Sequence, residues 1–175
     1  MTVEDRRFQP ARNSDSFDRA TPVGYDKVTS SQPGSRPGRV PATSEQVRAA
    51  EARLGVPLPP SLWAFLLVSN GCGPVSQYTE ALRPCEEIDW FRRTHPAFVD
   101  SRRDTEDHDL FLHALCLTRG ADAILLDTRT VSADGEYGAY LFAVKYGELD
   151  ERYSSFDEVV LAGRSEIEWH REHCV

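Results

Sequence analysis

Apolar residues at helical spacing mark the first regular element of the chain. Val47, Ala50 and Leu54 stand at positions i, i+3 and i+7, which places them on one face of a helix. The run Thr43–Gln46 has the form of a capping box, and Gly55 can adopt the left-handed conformation that ends a helix. We therefore predict a first helix between these two signals.

A second helix is predicted immediately afterwards. Pro59-Pro60 suits the first turn of a helix, where a backbone N–H has no helical partner to lose, and Asn70-Gly71 is a stop signal. The residues that this helix places on one face are Leu62, Phe65, Leu66 and Ser69. Trp63 and Leu67 suggest a second buried side.

The middle of the chain mixes a strand, a helix and a charged segment. A strand is predicted near Gln77–Leu82, and Pro84 is predicted to introduce a helix that Pro96 ends or kinks. The residues on one face of that helix are Ile88, Phe91 and His95. The segment Asp100–Asp109 has eight ionisable side chains among its ten residues, so we predict a solvated loop there.

The second half of the chain has the pattern of a sheet. Short, mostly apolar runs at 112–117, 123–126 and 139–144 are separated by turn signals at 119–122 and 133–135, which favours antiparallel strands with short connections. Capped helices are predicted to begin at Ser154 and Ser165, the first ending near Gly163. The predicted class is α+β, with an antiparallel sheet of about four to six strands covered by two N-terminal helices, a middle helix and C-terminal helices.

Composition divides the chain into a tail and one domain. Residues 1–40 contain four prolines and three glycines among serines and charges, without helical or strand periodicity, and are expected to form a disordered tail. That tail is either a flexible leader without a role or a segment that folds on a partner. The remaining residues, 41–175, are expected to form a single domain.

Charge and hydropathy argue against nucleic-acid binding and against a membrane-spanning segment. Residues 1–40 carry a net charge of +2 and the remainder a net charge of −10, which opposes nucleic-acid binding by the domain and would attract a basic protein. An acidic surface that merely favours solubility would look the same. The longest apolar run, Leu62–Val68, is far shorter than the roughly 20 residues that span a bilayer. The first ten residues are too charged for a signal peptide, so a cytoplasmic location is expected.

Candidate chemistry is sparse. Cys72, Cys85, Cys116 and Cys174 stand singly, as is typical of reduced thiols. The nearest approach to a metal set is Glu166 with His170, His173 and Cys174, which lacks a second ligand pair. There is no nucleophile elbow and no phosphate-binding loop. We expect no catalytic residue, no cofactor and no metal.

The order of these signals resembles the SUKH superfamily, which includes a fungal cell-wall-assembly regulator and many bacterial immunity proteins. The resemblance spans roughly residues 43–160. Its strongest part is the series Glu51–Gly55, Leu58–Leu62, Phe65-Leu66 and Asn70-Gly71, and Gly120–Asp127 and Ser155–Val160 add weaker support. The signature positions are Leu54, Gly55, Leu58, Pro59, Phe65, Asn70, Gly71, Asp127 and Phe156. These are caps and core residues, so they specify a scaffold and leave function to its surface.

The resemblance implies a non-catalytic binding protein, most simply an immunity protein that covers a cognate toxin. The toxin is expected to be basic, and a nuclease is one candidate. An intracellular scaffold or regulator with a docking tail is the alternative, and an enzyme is a third hypothesis. The acidic residues expected to contact a basic partner are Glu86, Glu87, Asp89, Asp104, Glu106, Asp107, Asp109, Glu148, Asp150 and Glu151, with Asp134 and Glu136 nearby. The candidate aromatic anchors are Tyr78, Trp90, Tyr137 and Tyr153, of which Trp90 could equally be a core residue.

Overall fold

The computed structural model describes residues 39–75, 79–120 and 122–173, with the side chains of 150, 151 and 166–173 not described. The helices are α1 (Ser44–Leu54), α2 (Pro60–Val68), α3 (Phe91–Thr94), α4 (Pro96–Ser101), α5 (His108–His113) and α6 (Phe156–His173). The strands are β1 (Thr79–Leu82), β2 (Asp89–Trp90), β3 (Ala114–Cys116), β4 (Thr118–Gly120), β5 (Asp122–Val131), β6 (Tyr137–Ala143) and β7 (Glu148–Tyr153). The predicted tail lies outside the described residues as far as residue 38, so the division into tail and domain stays a prediction.

The first helix forms as its sequence indicates. The Thr43 hydroxyl accepts the Gln46 amide at 3.2 Å, and the Gln46 side chain accepts the Thr43 amide at 2.8 Å, so the predicted capping box is confirmed. Gly55 ends the helix with φ 78°, a left-handed conformation in which its amide donates to Glu51. The predicted apolar face of Val47, Ala50 and Leu54 is buried.

The second helix is also confirmed, and the chain that precedes α1 covers its end. Leu62 and Leu66 are fully buried. The Ala42 amide donates to the Leu66 carbonyl at 2.9 Å, so a carbonyl without a helical partner is satisfied by the incoming chain. Leu67 is 37% exposed, which contradicts the predicted second buried side at that position, while Trp63 is half-buried.

An antiparallel sheet in the order β2-β3-β5-β6-β7 forms the centre of the domain, and β1 pairs with β4 in a separate two-stranded sheet. β5 is the longest strand and makes the most extensive pairing, with β6, from Asp122 opposite Ala143 to Asp127 opposite Gly138. The predicted α+β class is thus confirmed.

Alternate residues of the central strands pack into two separate hydrophobic cores, one on each face of the sheet. Leu115 and Leu126 pack with α1, α2 and α6 on one face of the sheet. Ala114 and Leu125, their neighbours along the same strands, pack with α3, α4 and α5 on the other face. Both faces are therefore covered, which explains why the strands show little alternation of apolar and polar residues.

The helix predicted after Pro84 does not form as one element. The Pro84 carbonyl accepts the Glu87 and Ile88 amides, which closes a single turn, and β2 then pairs with β3. Ile88 lies in the core below α1, whereas Phe91 lies in the opposite core with α5. Their helical spacing was misleading because the two side chains belong to different faces of the sheet. Pro96 does separate two short helices, α3 and α4.

Two further boundaries differ from those predicted. The strand expected from Leu112 begins only at Ala114, because α5 continues through His113. The charged loop is correspondingly shortened to residues 102–107.

The C-terminal end of the described chain forms one helix where two were predicted. Gly163 does not stop a helix, because it is buried within α6. It follows Phe156 and Val159 at i+7 and i+4 on the core-facing side. Ser165 donates to the Leu161 carbonyl inside α6 and caps nothing.

Glu136 stabilises the start of α2. Its carboxylate accepts the Ser61 amide and the Ser61 hydroxyl, each at 2.7 Å, and so fills the role of a helix cap from another element. We expect Glu136→Ala to lower the free energy of unfolding by about 1–2 kcal/mol, since the cap and its favourable position at the helix N-terminus are both lost.

Urea unfolding followed by circular dichroism would measure this effect. Asp134→Ala is the matched control, because Asp134 belongs to the same hairpin, is exposed, and has no hydrogen-bond partner in the described part of the chain. Equal unfolding midpoints for the two variants would show that Glu136 does not act as a cap.

Candidate interaction surface

The acidic residues near the end of β1 and at β2 are engaged by the protein itself. Asn70 donates to the Glu86 carboxylate at 3.0 Å, Arg119 pairs with Glu87, and Arg93 contacts Asp89 at 3.2 Å. The pKa of Glu86 is lowered chiefly by a hydrogen bond from its own backbone amide, with a further contribution from Asn70. These carboxylates are therefore less available to a partner than the sequence suggested.

The loop between α4 and α5 carries acidic residues that are more exposed and less engaged by the rest of the protein. Asp104 and Glu106 are exposed, and neither has a hydrogen-bond or ion-pair partner among the residues that the structure describes. Asp107 is half-buried next to them, and Asp109 is 74% exposed, with Arg129 at 3.9 Å. Asp104 and Glu106 are thus exposed carboxylates without an ion-pair partner in the described residues, and such groups attract a basic partner.

This loop is fixed to the turn between β6 and β7. Arg102 donates to the Gly147 carbonyl at 3.1 Å, and its guanidinium lies 5.3 Å from the centre of the Phe98 ring. Within the loop, the Thr105 hydroxyl donates to the Arg102 carbonyl at 2.9 Å. The acidic loop and the turn are thereby held side by side, so a partner would not have to order them on binding.

Tyr146 lies at the tip of that turn and is the aromatic residue that sequence reasoning missed. It is 69% exposed, and the Lys145 ammonium lies 5.4 Å from its ring centre. Glu148, also exposed, follows at the start of β7. The one sequence signal was the Tyr-Gly pair after an apolar strand, since Gly147, with φ 69°, forms the turn that carries Tyr146 outward. We name Asp104, Glu106, Asp107, Tyr146 and Glu148 the acidic corner.

The aromatic anchors expected from sequence lie elsewhere. Tyr137 is 4% exposed and donates its hydroxyl to the Pro57 carbonyl at 2.8 Å, so it is a core residue and not an anchor. Trp90 is 6% exposed, in agreement with its core interpretation. Tyr153 is half-buried. Tyr78 and the side chains of Asp150 and Glu151 lie outside the described residues.

The signature residue Asp127 is structural, as its buried position shows. Its side chain is 4% exposed and accepts hydrogen bonds from the Arg129 guanidinium at 2.9 and 3.0 Å and from the Arg129 amide at 3.0 Å. Burial opposes ionisation, but the bonds from Arg129 outweigh it and lower the pKa of Asp127. This network lies where the register of β5 with β6 shifts, between Asp127 and Val131.

The described residues offer little for catalysis or metal binding. Burial raises the pKa of Cys72, Cys85 and Cys116, which are free thiols, and this disfavours the reactive thiolate. No cluster of metal-binding side chains occurs within the ranges described, and His170, His173 and Cys174 lie beyond the side chains described. Within the same ranges, no helix combines the length and apolarity needed to cross a bilayer.

A cleft of about 390 Å³ separates α1 from the turn after β1. Its polar groups are committed to the fold: Arg53 donates to the Cys85 and Ile88 carbonyls, Gln46 belongs to the capping box, and Glu86 accepts from Asn70. Without polar groups that converge on the space, the cleft lacks the features of a small-molecule site.

The chain matches the model of a known protein family. The family model described as SMI1 / KNR4 family (SUKH-1) matches residues 41–161, from the segment before the Thr43 cap into α6. No curated protein matches the chain.

Proposed function

The chain belongs to the SMI1 / KNR4 family (SUKH-1), and from that premise we propose that it neutralises a cognate protein toxin in the cytoplasm by direct binding, without catalysis. The family comprises non-catalytic immunity and regulatory proteins. The observation that carries the proposal is the acidic corner, where exposed Asp104 and Glu106 stand on a loop that Arg102 ties to the turn carrying exposed Tyr146.

The corner has the physical properties of a surface for a basic protein. Exposed carboxylates raise the rate of encounter with a positively charged partner, and the net charge of −10 on residues 41–175 acts in the same direction. Tyr146 can bury its ring while keeping its hydroxyl available for a hydrogen bond, which is why tyrosine is frequent at the centres of interfaces. A toxin held there would have its own active surface covered.

A regulatory scaffold is the second candidate function. It is favoured by the tail, which carries a net charge of +2 and lies outside the segment matched by the family model. A partner that binds the full chain but not a form lacking residues 1–38 would support this function, whereas a toxin-neutralising domain should act without them.

Co-expression with the toxin-like product of the neighbouring gene tests the proposal directly. Survival of the cells together with co-purification of the two proteins is expected. A toxic neighbour that the chain neither restrains nor binds, or the absence of any toxic neighbour, would shift the assignment to the scaffold.

The acidic corner can be tested in the same complex. We expect Asp104→Asn/Glu106→Gln to lower the association rate constant about 3- to 10-fold, with a weaker dependence on salt and little change in dissociation. Stopped-flow association at several salt concentrations would measure it. Glu45→Gln/Glu80→Gln is the matched control, since it removes the same charge from α1 and β1.

Tyr146→Ala tests the contribution of the aromatic ring to binding separately from the contribution of charge. If the ring is buried in the complex, its removal accelerates dissociation about tenfold and leaves the salt dependence intact. Association and dissociation rates that are unchanged in both the Asp104/Glu106 and Tyr146 variants would place the interface elsewhere on the domain.

A further inference from the structure

The outer side of α2 is an apolar stripe open to solvent. Pro60, Ala64, Leu67 and Val68 stand at positions i, i+4, i+7 and i+8 of the helix, and all four are exposed. Val68 is 73% exposed. Val40 continues the stripe at its C-terminal end, because its carbonyl accepts the Asn70 amide and its side chain is 85% exposed. We call these five residues the α2 stripe.

Such a stripe is unusual on a helix at a protein surface. An amphipathic helix normally turns polar residues to water, whereas α2 is apolar on its inner and its outer sides and contains no charged residue. The core is already complete beneath it, since Leu62 and Leu66 are fully buried. The outer residues therefore contribute little to folding, and contiguous exposed apolar surface of this kind marks interaction sites.

Acidic side chains border the stripe. The β5–β6 hairpin packs against the first turn of α2, where Glu136 binds Ser61, and exposed Asp134 lies in that hairpin. Along the helix, Phe65 packs edge-on against Phe156 at 5.5 Å, which brings the first turn of α6 alongside α2. That turn carries Asp157 and Glu158, which remain exposed although they accept the Ser155 hydroxyl and the Ser154 amide, respectively. At the opposite end, next to Val40, the exposed residue is Arg39.

We propose that the α2 stripe docks an amphipathic segment of a partner protein, with apolar side chains on the stripe and Lys or Arg side chains directed toward Asp134, Asp157 and Glu158. An apolar centre with a charged rim is the usual anatomy of a protein interface. Charge complementarity selects the occupant: a second copy of this acidic domain would bring two negative rims together, whereas a basic segment would neutralise one.

The stripe is separate from the acidic corner. α2 packs on the face of the sheet that presents Leu115 and Leu126, and the helices that flank the corner loop pack on the face that presents Ala114 and Leu125. The two surfaces thus lie on opposite layers of the domain. Through them the protein can hold two partners at once, and the stripe does not depend on the identity of the toxin.

A synthetic ligand tests the stripe without any natural partner. The probe is a fluorescein-labelled peptide of leucine and lysine with its leucines at helical spacing, and its control is a scrambled peptide of the same composition. Anisotropy titration of the full chain at about 0.15 M salt, where general attraction between opposite charges is screened, should show preference for the amphipathic peptide.

Substitutions in the chain then show whether the peptide binds at the α2 stripe. Leu67→Gln/Val68→Thr keeps the charge of the chain and should weaken peptide binding roughly tenfold or more. Val131→Thr, the same change at a valine that is 55% exposed on β5, and Asp104→Asn/Glu106→Gln at the acidic corner should leave it within about twofold. Equal affinity in the stripe variant and the wild type, or equal affinity for the scrambled peptide, would overturn the proposal. So would self-association of the wild type that the stripe variant abolishes, since a second copy would then be the occupant.

Discussion

Replacing Gly71 with alanine is expected to lower the free energy of unfolding by about 3 kcal/mol, the sum of a left-handed backbone penalty and an unavoidable steric overlap. Gly71 has φ 86°, and a Cβ added to it would lie 2.7 Å from the Leu82 carbonyl oxygen and 3.0 Å from the Pro84 nitrogen. Both are backbone atoms, so no side-chain rotation relieves the contact. The Leu82 carbonyl is itself held by the Cys72 amide at 3.3 Å.

Gly73→Ala provides the matched control, two residues along the same loop. Nothing lies within 4 Å of the position of its Cβ, and its φ is not in the left-handed region. Its stability should stay within about 0.5 kcal/mol of the wild type. Urea unfolding of the two variants and the wild type would measure both effects, and a Gly71→Ala variant as stable as Gly73→Ala would refute the close approach of Gly71 to Leu82.

The segment around Gly71 shows which structural features local sequence signals can predict and which they cannot. The Asn70-Gly71 pair predicts the end of a helix, and α2 does end at Val68. The sequence could not reveal that the Asn70 side chain crosses to the turn after β1, where it accepts the Cys85 amide at 2.7 Å and donates to Glu86. Caps depend on neighbours in the chain, but such cross-links depend on which segments the fold brings together.

The same distinction explains the errors in the middle of the chain. α1 and α2 are recognisable because their caps and their periodicity agree. The region after Pro84 offers only periodicity, and Ile88 and Phe91 mimic a helical face while they serve opposite cores. Pairing of β2 with β3 decides the conformation there, and pairing partners distant in sequence cannot be read from a local pattern.

For the surface, sequence reasoning identified the acidic loop but not its aromatic neighbour. Asp104 and Glu106 stand in a segment too charged to be buried, so their exposure follows from composition. Tyr137 and Tyr146 look alike in sequence, yet one is 4% and the other 69% exposed. The difference arises because Tyr137 begins β6 beneath α2 and reaches Pro57, whereas Tyr146 follows the end of that strand.

Removing the ring of Phe142 is expected to have the largest effect of any change considered, a loss of about 3–5 kcal/mol in the free energy of unfolding. Phe142 is fully buried in β6, and its ring centre lies 4.9 Å from that of Phe111, 5.3 Å from Phe98 and 5.7 Å from Phe91. Phe142→Ala therefore leaves a cavity bounded by rings on α3, α4 and α5, which cannot all move into it. Marginally stable domains retain about 5–15 kcal/mol in total, so this loss is a large fraction.

The consequence for binding follows from where those rings are attached. Phe98 and Phe111 lie on the helices on either side of the loop 102–107, so the cluster holds the acidic corner against the sheet. Phe142→Ala should thus also slow capture of a basic partner, although residue 142 itself is fully buried. Phe142→Leu, which retains most of the volume, should lose less than about 1.5 kcal/mol.

Tyr146→Ala completes the comparison, since it removes an exposed ring at a cost to stability of less than about 0.5 kcal/mol. Thermal unfolding and hydrogen exchange of the loop amides would distinguish the three variants. Loss of protection in residues 102–107 of Phe142→Ala alone is the expected pattern. Unchanged protection in that variant would mean that the Arg102 contact with Gly147 suffices to hold the acidic corner without the aromatic cluster.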